Sequence, residues 1–213
     1  MRAMVRTHAP FGLSLSKPLR AWALTLRQAQ GERFGASGLC ALLLSASTAF
    51  AQDIDVPFVV TPDNVTREML KLAGVKAGDF VIDLGSGDGR IVIVAAKQFG
   101  ARGLGVEIVP ELIEKSRDNA RRAGVADRAE FRVQDLFATD LSQATVITMY
   151  LLPDVNLLLR PKLLALKPGT RIVSHDWDMG DWKPDRVVTV DAPDKPIGRE
   201  KVSRLYLWTV PAR

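Results

Sequence analysis

Asp83-Leu84-Gly85-Ser86-Gly87-Asp88-Gly89 decides the fold. The apolar run over residues 79–84 that leads into it reads as a buried strand, and the stretch 91–99, closed by Gly100, reads as a helix. A glycine-rich turn between a strand and a helix lets backbone turn sharply and lets a ligand approach it closely, while the free amides of the helix N-terminus can receive an anionic group. A dinucleotide-binding turn requires G-x-G-x-x-G. Counting from Gly85 and Gly87, Arg90 stands at the third position and Gly89 comes one residue early, which argues against a nicotinamide cofactor.

The same alternation continues outward. Thr61-Pro62-Asp63 starts a helix that Gly74 stops, with Val65, Met69, Leu70 and Leu72 as its buried positions. A second strand over 103–106 ends at Glu107, and Pro110 opens a helix running to Ala123 and terminated by Gly124. Further strands are expected at 128–133, 144–150 and 171–174, and a Leu-rich helix from Pro153 to about Lys167. Two last strands, 186–190 and 202–210, flank a Pro/Gly-bearing loop and pair antiparallel at one end of the sheet. Short β-branched runs alternating with amphipathic helices define an α/β, Rossmann-like domain, its mostly parallel sheet of seven strands covered by helices on both faces.

The 213 residues suffice for one such domain and not for two. The net charge of +5 sits at the front: residues 1–51 hold six Lys/Arg against the single acid Glu32, which leaves 23 of each sign over 52–213. Bulk charge therefore gives no strong nucleic-acid signal, and Arg117, Arg121 and Arg122 read as a solvated helix face. The single cysteine, Cys40, excludes an internal disulfide, and no Cys/His spacing suggests a metal. Leu39 to Leu44, followed by small residues and Ala49-Phe50-Ala51, resembles a secretory signal with an A-x-A cleavage pattern; a helix over 39–50 is the competing reading. An apolar run of about 13 residues is short of the ~20 that a stable transmembrane span needs. The expected organisation is an N-terminal extension and signal over 1–51 and the α/β domain over 52–213.

The acid-glycine turn resembles motif I of the class I S-adenosylmethionine methyltransferases, in which the strand-ending acid lies near the cofactor's amino group. Glu107, 24 residues after Asp83, can accept bonds from two ribose hydroxyls, and Gln134-Asp135-Leu136 follows the third strand where such enzymes place the adenine. Pro57-Phe58-Val59-Val60-Thr61-Pro62, the glycine turn through Arg90, Gly105-Val106-Glu107 and Tyr150-Leu151-Leu152-Pro153 together resemble the small protein-lysine methyltransferases, a family that includes the ATP synthase c-subunit enzyme. The resemblance implies S-adenosylmethionine at Asp83, Gly85, Ser86, Gly87, Gly89, Glu107, Ile108, Asp135 and Leu136. It further implies Phe58, Thr61 and Pro153 closing an acceptor site, Tyr150 as the residue facing the reacting amine, and a protein with an accessible lysine as partner. A helix cap is the alternative for Asp135, Tyr150 reads equally as packing, and His175 reads as a base or, more in keeping with a lone strand-end histidine, a structural residue. Small-molecule or RNA methylation, or cofactor binding without turnover, are the alternatives. A secretion signal points to export, whereas the cofactor's supply points to the cytoplasm; the two expectations conflict and the sequence leaves the compartment open.

Overall fold

The computed structural model describes residues 58–212. The apolar stretch 39–51, its cleavage pattern, Cys40 and Pro57 lie outside the described residues. Seven strands and four helices alternate in the order α1 (Asp63–Leu72), β1 (Phe80–Leu84), α2 (Arg90–Phe99), β2 (Arg102–Glu107), α3 (Pro110–Ala123), β3 (Ala129–Val133), β4 (Val146–Met149), α4 (Pro153–Leu164), β5 (Arg171–His175), β6 (Arg186–Asp191) and β7 (Val202–Thr209). They form one sheet in the order β3-β2-β1-β4-β5-β7-β6. β1 pairs parallel with β2 and β4, β2 with β3, and β4 with β5. The last strand of the chain, β7, inserts between β5 and β6 and runs antiparallel to both.

Side-chain alternation distributes the core. On one face of the sheet Ile82, Leu84, Ile147, Met149 and Ile172 meet Val155, Leu159 and Leu163 of α4. On the other, Val81, Val146 and Val173 meet Val65 and Met69 of α1 and Ile91 and Ala95 of α2, while Ile113 and Ala120 of α3 pack with Val92 and Phe131. Polar residues on this second face are the informative exceptions: Asp83 and Thr148, which are register partners across β1 and β4, sit among apolar neighbours at the carboxyl ends of the strands.

Two expected elements, β4 and α4, are each three residues shorter in the structure, and the remaining strands agree to within one residue at each end. β4 spans Val146–Met149; just before it, Thr145 uses its hydroxyl to accept from Phe80 N–H at 2.9 Å and to donate to Asp79 Oδ1 at 2.8 Å. α4 tolerates Pro161 in its interior and ends at Leu164, the residues up to Gly169 forming a turn. Leu72 is half-buried, unlike the fully buried Val65, Met69 and Leu70.

Candidate active site

A cavity of about 670 Å³ opens at the carboxyl ends of β1, β2 and β4. Of the residues singled out in the sequence, Phe58, Thr61, Asp83, Gly85, Ser86, Glu107, Ile108, Asp135, Leu136 and Tyr150 all line it. Val59, Val60, Asp88, Arg90, Val106, Gln134 and Leu151, which stand in the quoted motifs without an individual role, also line it, and Ile91, Val109, Leu112, Phe137 and Val155, which the sequence reading does not single out as site residues, complete the walls.

Gly87, Gly89 and Pro153 do not reach the cavity, for distinct reasons. The Phe58 ring lies against Gly87, in the space a Cβ would occupy, and Gly87 N–H donates to Glu107 Oε2 at 3.2 Å; its φ is 52°. Gly87 thus shapes the site through its neighbours. Gly89, with φ 80°, is the N-cap of α2, and a Cβ there would stand 2.7 Å from both Phe131 and Ser116, so it serves the close packing of α2 against α3 and β3. Pro153 starts α4 at the exposed surface.

Four carboxyl groups face the cavity, and each is held differently. Asp83 is 2% exposed and accepts the Thr148 hydroxyl at 2.7 Å. Burial pushes its pKa up to about 7, with the charges of Glu107 and Asp88 adding to the rise and the Thr148 bond opposing it. Glu107 accepts the N–H groups of Ile108 at 2.8 Å and Val109 at 3.1 Å in addition to that of Gly87, which fixes its plane and leaves lone pairs for a ligand. Asp135 caps its own turn by accepting Phe137 N–H at 2.7 Å and remains exposed. For Asp88, burial would raise the pKa, but bidentate bonds from Arg90 (3.0 and 2.7 Å), with the charges of Arg90 and Lys115, hold it below the usual carboxylate range.

The same Arg90 donates to Thr61 O at 2.8 Å and reaches Asp63 at 3.1 Å. The strap of residues 58–61 is thereby fastened to the glycine turn, and Thr61 Oγ1 lies 3.3 Å from His175 Nδ1 at its other side. His175 is fully buried, its Nε2 lying 2.8 Å from Ser203 Oγ. Burial drives its pKa down to about 4; Lys195 pushes the same way and Asp176 opposes. With both ring nitrogens engaged inside the fold, the histidine is a structural residue.

Tyr150 is half-buried at the end of β4, its hydroxyl 3.3 Å from Asp176 Oδ2 and its ring 3.9 Å from the His175 ring between centroids. Burial and the Asp176 carboxylate raise its pKa above the ordinary phenol value, so it is a neutral phenol at any working pH. Among the described residues no group of three or more His, Cys, Asp or Glu could hold a metal ion, and no helix is long and apolar enough to cross a membrane.

A seven-stranded sheet in this order, with a glycine turn and two strand-end acids around one cavity, defines the class I methyltransferase architecture. Residues 83–186 match the family model of the ANTKMT methyltransferase domain. A protein-lysine N-methyltransferase of Saccharolobus islandicus is 48% identical over 138 residues, covering 64% of this chain and 86% of that protein. The lysine N-methyltransferase of the human ATP synthase c-subunit is 35% identical over 162 residues, 72% of this chain and 69% of that protein. A crystal structure described as an RNA methyltransferase from Salinibacter ruber in complex with S-adenosyl-L-homocysteine shares 53% identity, with a TM-score of 0.67 over 73% of this chain and 95% of that one. The chain belongs to this family of S-adenosylmethionine-dependent methyltransferases.

Proposed function

We propose that the protein methylates a lysine side chain of another protein, using S-adenosylmethionine held in the 670 Å³ cavity. The observation that carries the acceptor class is the 48% identity to a protein-lysine N-methyltransferase, aligned over 86% of that protein. The cavity wall suits such an acceptor: beside the acids that would hold the cofactor it carries aromatic Phe58, Phe137 and Tyr150, and its one basic residue among the described residues, Arg90, is spent on Asp88 and offers no free cation to a nucleic-acid phosphate. The lysine acceptors named for the Saccharolobus and human relatives agree with this reading. RNA, named for the Salinibacter relative, is the competing acceptor.

The residues present fit the cofactor. Ser86 Oγ is buried with no hydrogen-bond partner among the described residues, at the rim of a carboxyl-lined cleft, and Asp83 is a buried carboxyl group with one hydroxyl donor. Asp83 and Ser86 would hold the amino-acid end, Glu107 the ribose, and Asp135, Leu136 and Ile108 the base, with Gly85 as close-approach backbone. When bound, S-adenosylmethionine supplies a methyl group on a positively charged sulfur, an electrophile that needs no metal.

What remains for the chain is to deliver an uncharged amine. Val59, Val60, Leu151 and Val155 make the wall partly apolar, which disfavours the ammonium form of a lysine entering it. Tyr150, a neutral phenol facing the cavity, presents its ring to the alkyl ammonium and its oxygen to an N–H. His175 takes no proton, because its nitrogens serve Thr61 and Ser203; the amine's proton leaves to solvent.

The test is to incubate the full chain with methyl-labelled S-adenosylmethionine and fractionated protein, RNA and small molecules of the source organism, beside Asp83→Ala. Label in protein that vanishes in the variant supports the reading. Label confined to RNA or small molecules overturns the acceptor class, and binding without label overturns catalysis.

A further inference from the structure

The acceptor reading leans on Tyr150, and the structure shows a device that holds it. Asp176 follows β5 in left-handed backbone, φ 63°, the one non-glycine residue among the described residues to do so. That conformation is unfavourable for a side-chain-bearing residue and persists where surrounding contacts over-determine it, most often at functional sites. Here the contacts are several, and His175 Nε2, 3.5 Å from Asp176 Oδ2, is one of them. Asp176 N–H donates to Arg204 O at 2.7 Å, and Arg204 N–H returns a bond to Oδ1 at 3.1 Å. Oδ2 takes the Lys195 ammonium at 2.8 Å and the Tyr150 hydroxyl at 3.3 Å, a long bond with room to tighten when the site fills. Lys195, on the connection between β6 and β7, is itself anchored on Val202 O at 2.7 Å. The pair is largely buried, at 14% and 12% side-chain exposure, and neither residue lines the cavity, whereas Tyr150 does.

We propose that Asp176, with Lys195 as its counter-ion, is the positioning residue of the acceptor site: it takes the Tyr150 hydroxyl proton in a hydrogen bond and so turns the phenol oxygen's lone pairs toward the cavity. The inference rests on the reading of Tyr150 as the residue facing the acceptor amine. A free phenol both donates and accepts; one whose O–H is tied to a carboxylate offers a third party only acceptor capacity. A neutral amine has two N–H groups to place and one lone pair to keep free, so an acceptor-only phenol binds an N–H and leaves the lone pair for the methyl group. Lys195 has a separate task. A bare carboxylate behind Tyr150 would hold the incoming lysine as an ammonium and oppose its deprotonation, and the ion pair cancels that charge.

The charged and titratable groups around the acceptor amine are Tyr150 at β4's end, His175 at the end of β5 and Asp176 just after it, Lys195 before β7, and Asp83, Asp88, Arg90, Glu107 and Asp135 across the cavity. Removing Lys195 changes this set by one positive charge next to Asp176.

The test compares full-length wild type with Tyr150→Phe, Asp176→Asn, Lys195→Met and the double variant Tyr150→Phe/Asp176→Asn. Asparagine tolerates left-handed backbone, so the turn is kept, but its amide has one oxygen for the three donors Arg204 N–H, Tyr150 O–H and the Lys195 ammonium. Affinity for S-adenosylhomocysteine is read by calorimetry, and rate as label incorporated into lysine of the organism's total protein. Asp176→Asn is expected to slow transfer about 10- to 100-fold through misplacement of the acceptor with unchanged S-adenosylhomocysteine affinity, and to add nothing to Tyr150→Phe. Lys195→Met is expected to move the rising limb of the pH–rate profile to higher pH. Wild-type rate in Asp176→Asn beside an impaired Tyr150→Phe, additive losses in the double variant, an unmoved limb in Lys195→Met, or loss of S-adenosylhomocysteine binding in Asp176→Asn overturns the inference alone. Full rate in Tyr150→Phe overturns the reading of Tyr150 on which it rests.

Discussion

Asp83 carries an electrostatic cost of burial. Its pKa near 7 against an ordinary value of 3.8 means that between these limits the unfolded chain ionises while the native protein keeps its proton. Native stability therefore falls as pH rises from about 4 to about 7 and stays reduced above, by up to roughly 4 kcal/mol. Asp83→Asn removes this cost: we expect a melting temperature several degrees above wild type at pH 8 and no difference near pH 4, together with loss of cofactor binding. A lower melting temperature at pH 8 would contradict the assignment. Binding of a cationic amino group favours the ionised carboxylate, so cofactor affinity should weaken about tenfold per pH unit below about pH 7, measured by calorimetric titration from pH 5.5 to 8.5. His175, neutral at all those values, adds no second step. These two residues have opposite needs, and the fold meets them with a single hydroxyl for Asp83 and two for His175.

At the level of elements, the strand-turn-helix unit around Gly85 was legible in the sequence because its signals are local: an apolar strand, glycines, a helix stop at Gly100. The Phe58 strap and its Arg90 fastening were not, since Arg90 joins residues 27 and 29 positions away and nothing in its flanking sequence announces that. The same holds for Asp176 and Lys195, and for the Gly89 contact with Phe131, which turns a motif glycine into a packing residue. Arg90→Ala should release the strap, weaken S-adenosylhomocysteine binding about tenfold through lost preorganisation, and speed limited proteolysis near Thr61; unchanged proteolysis would show that the strap holds without it. At the opposite end of the sheet, Asp79 is bolted by Thr145 Oγ1, Lys76 N–H and the Arg171 guanidinium, which also bonds Ala73 O and Gly74 O. Burial alone would raise the Asp79 pKa, and these donors together bring it below the usual value. Arg171→Met leaves that carboxylate buried and under-partnered, and denaturant unfolding should show a loss of about 3–5 kcal/mol with cofactor affinity retained, because the bolt lies away from the cavity.

For the whole molecule, what decides function is the division of labour between the two ends of the sheet. The amino ends of the strands are tied for stability, and the carboxyl ends keep buried acids, a Ser86 hydroxyl with no partner among the described residues, and a strained Asp176 behind the acceptor wall. Charge at the scale of the chain is uninformative, because the excess of Lys and Arg falls in residues 1–51; in the cavity the four carboxyl groups serve the cofactor or Arg90, and the aromatic, partly apolar wall around Tyr150, with no free cation among the described residues, is what suits a lysine acceptor. That acceptor is the central claim, and amino-acid analysis tests it most directly. Protein labelled by the full chain with methyl-labelled S-adenosylmethionine is hydrolysed to amino acids and the label located. Recovery as Nε-methylated lysine is the result the account predicts; recovery on any other amino acid, or only in the nucleic-acid fraction, would contradict it.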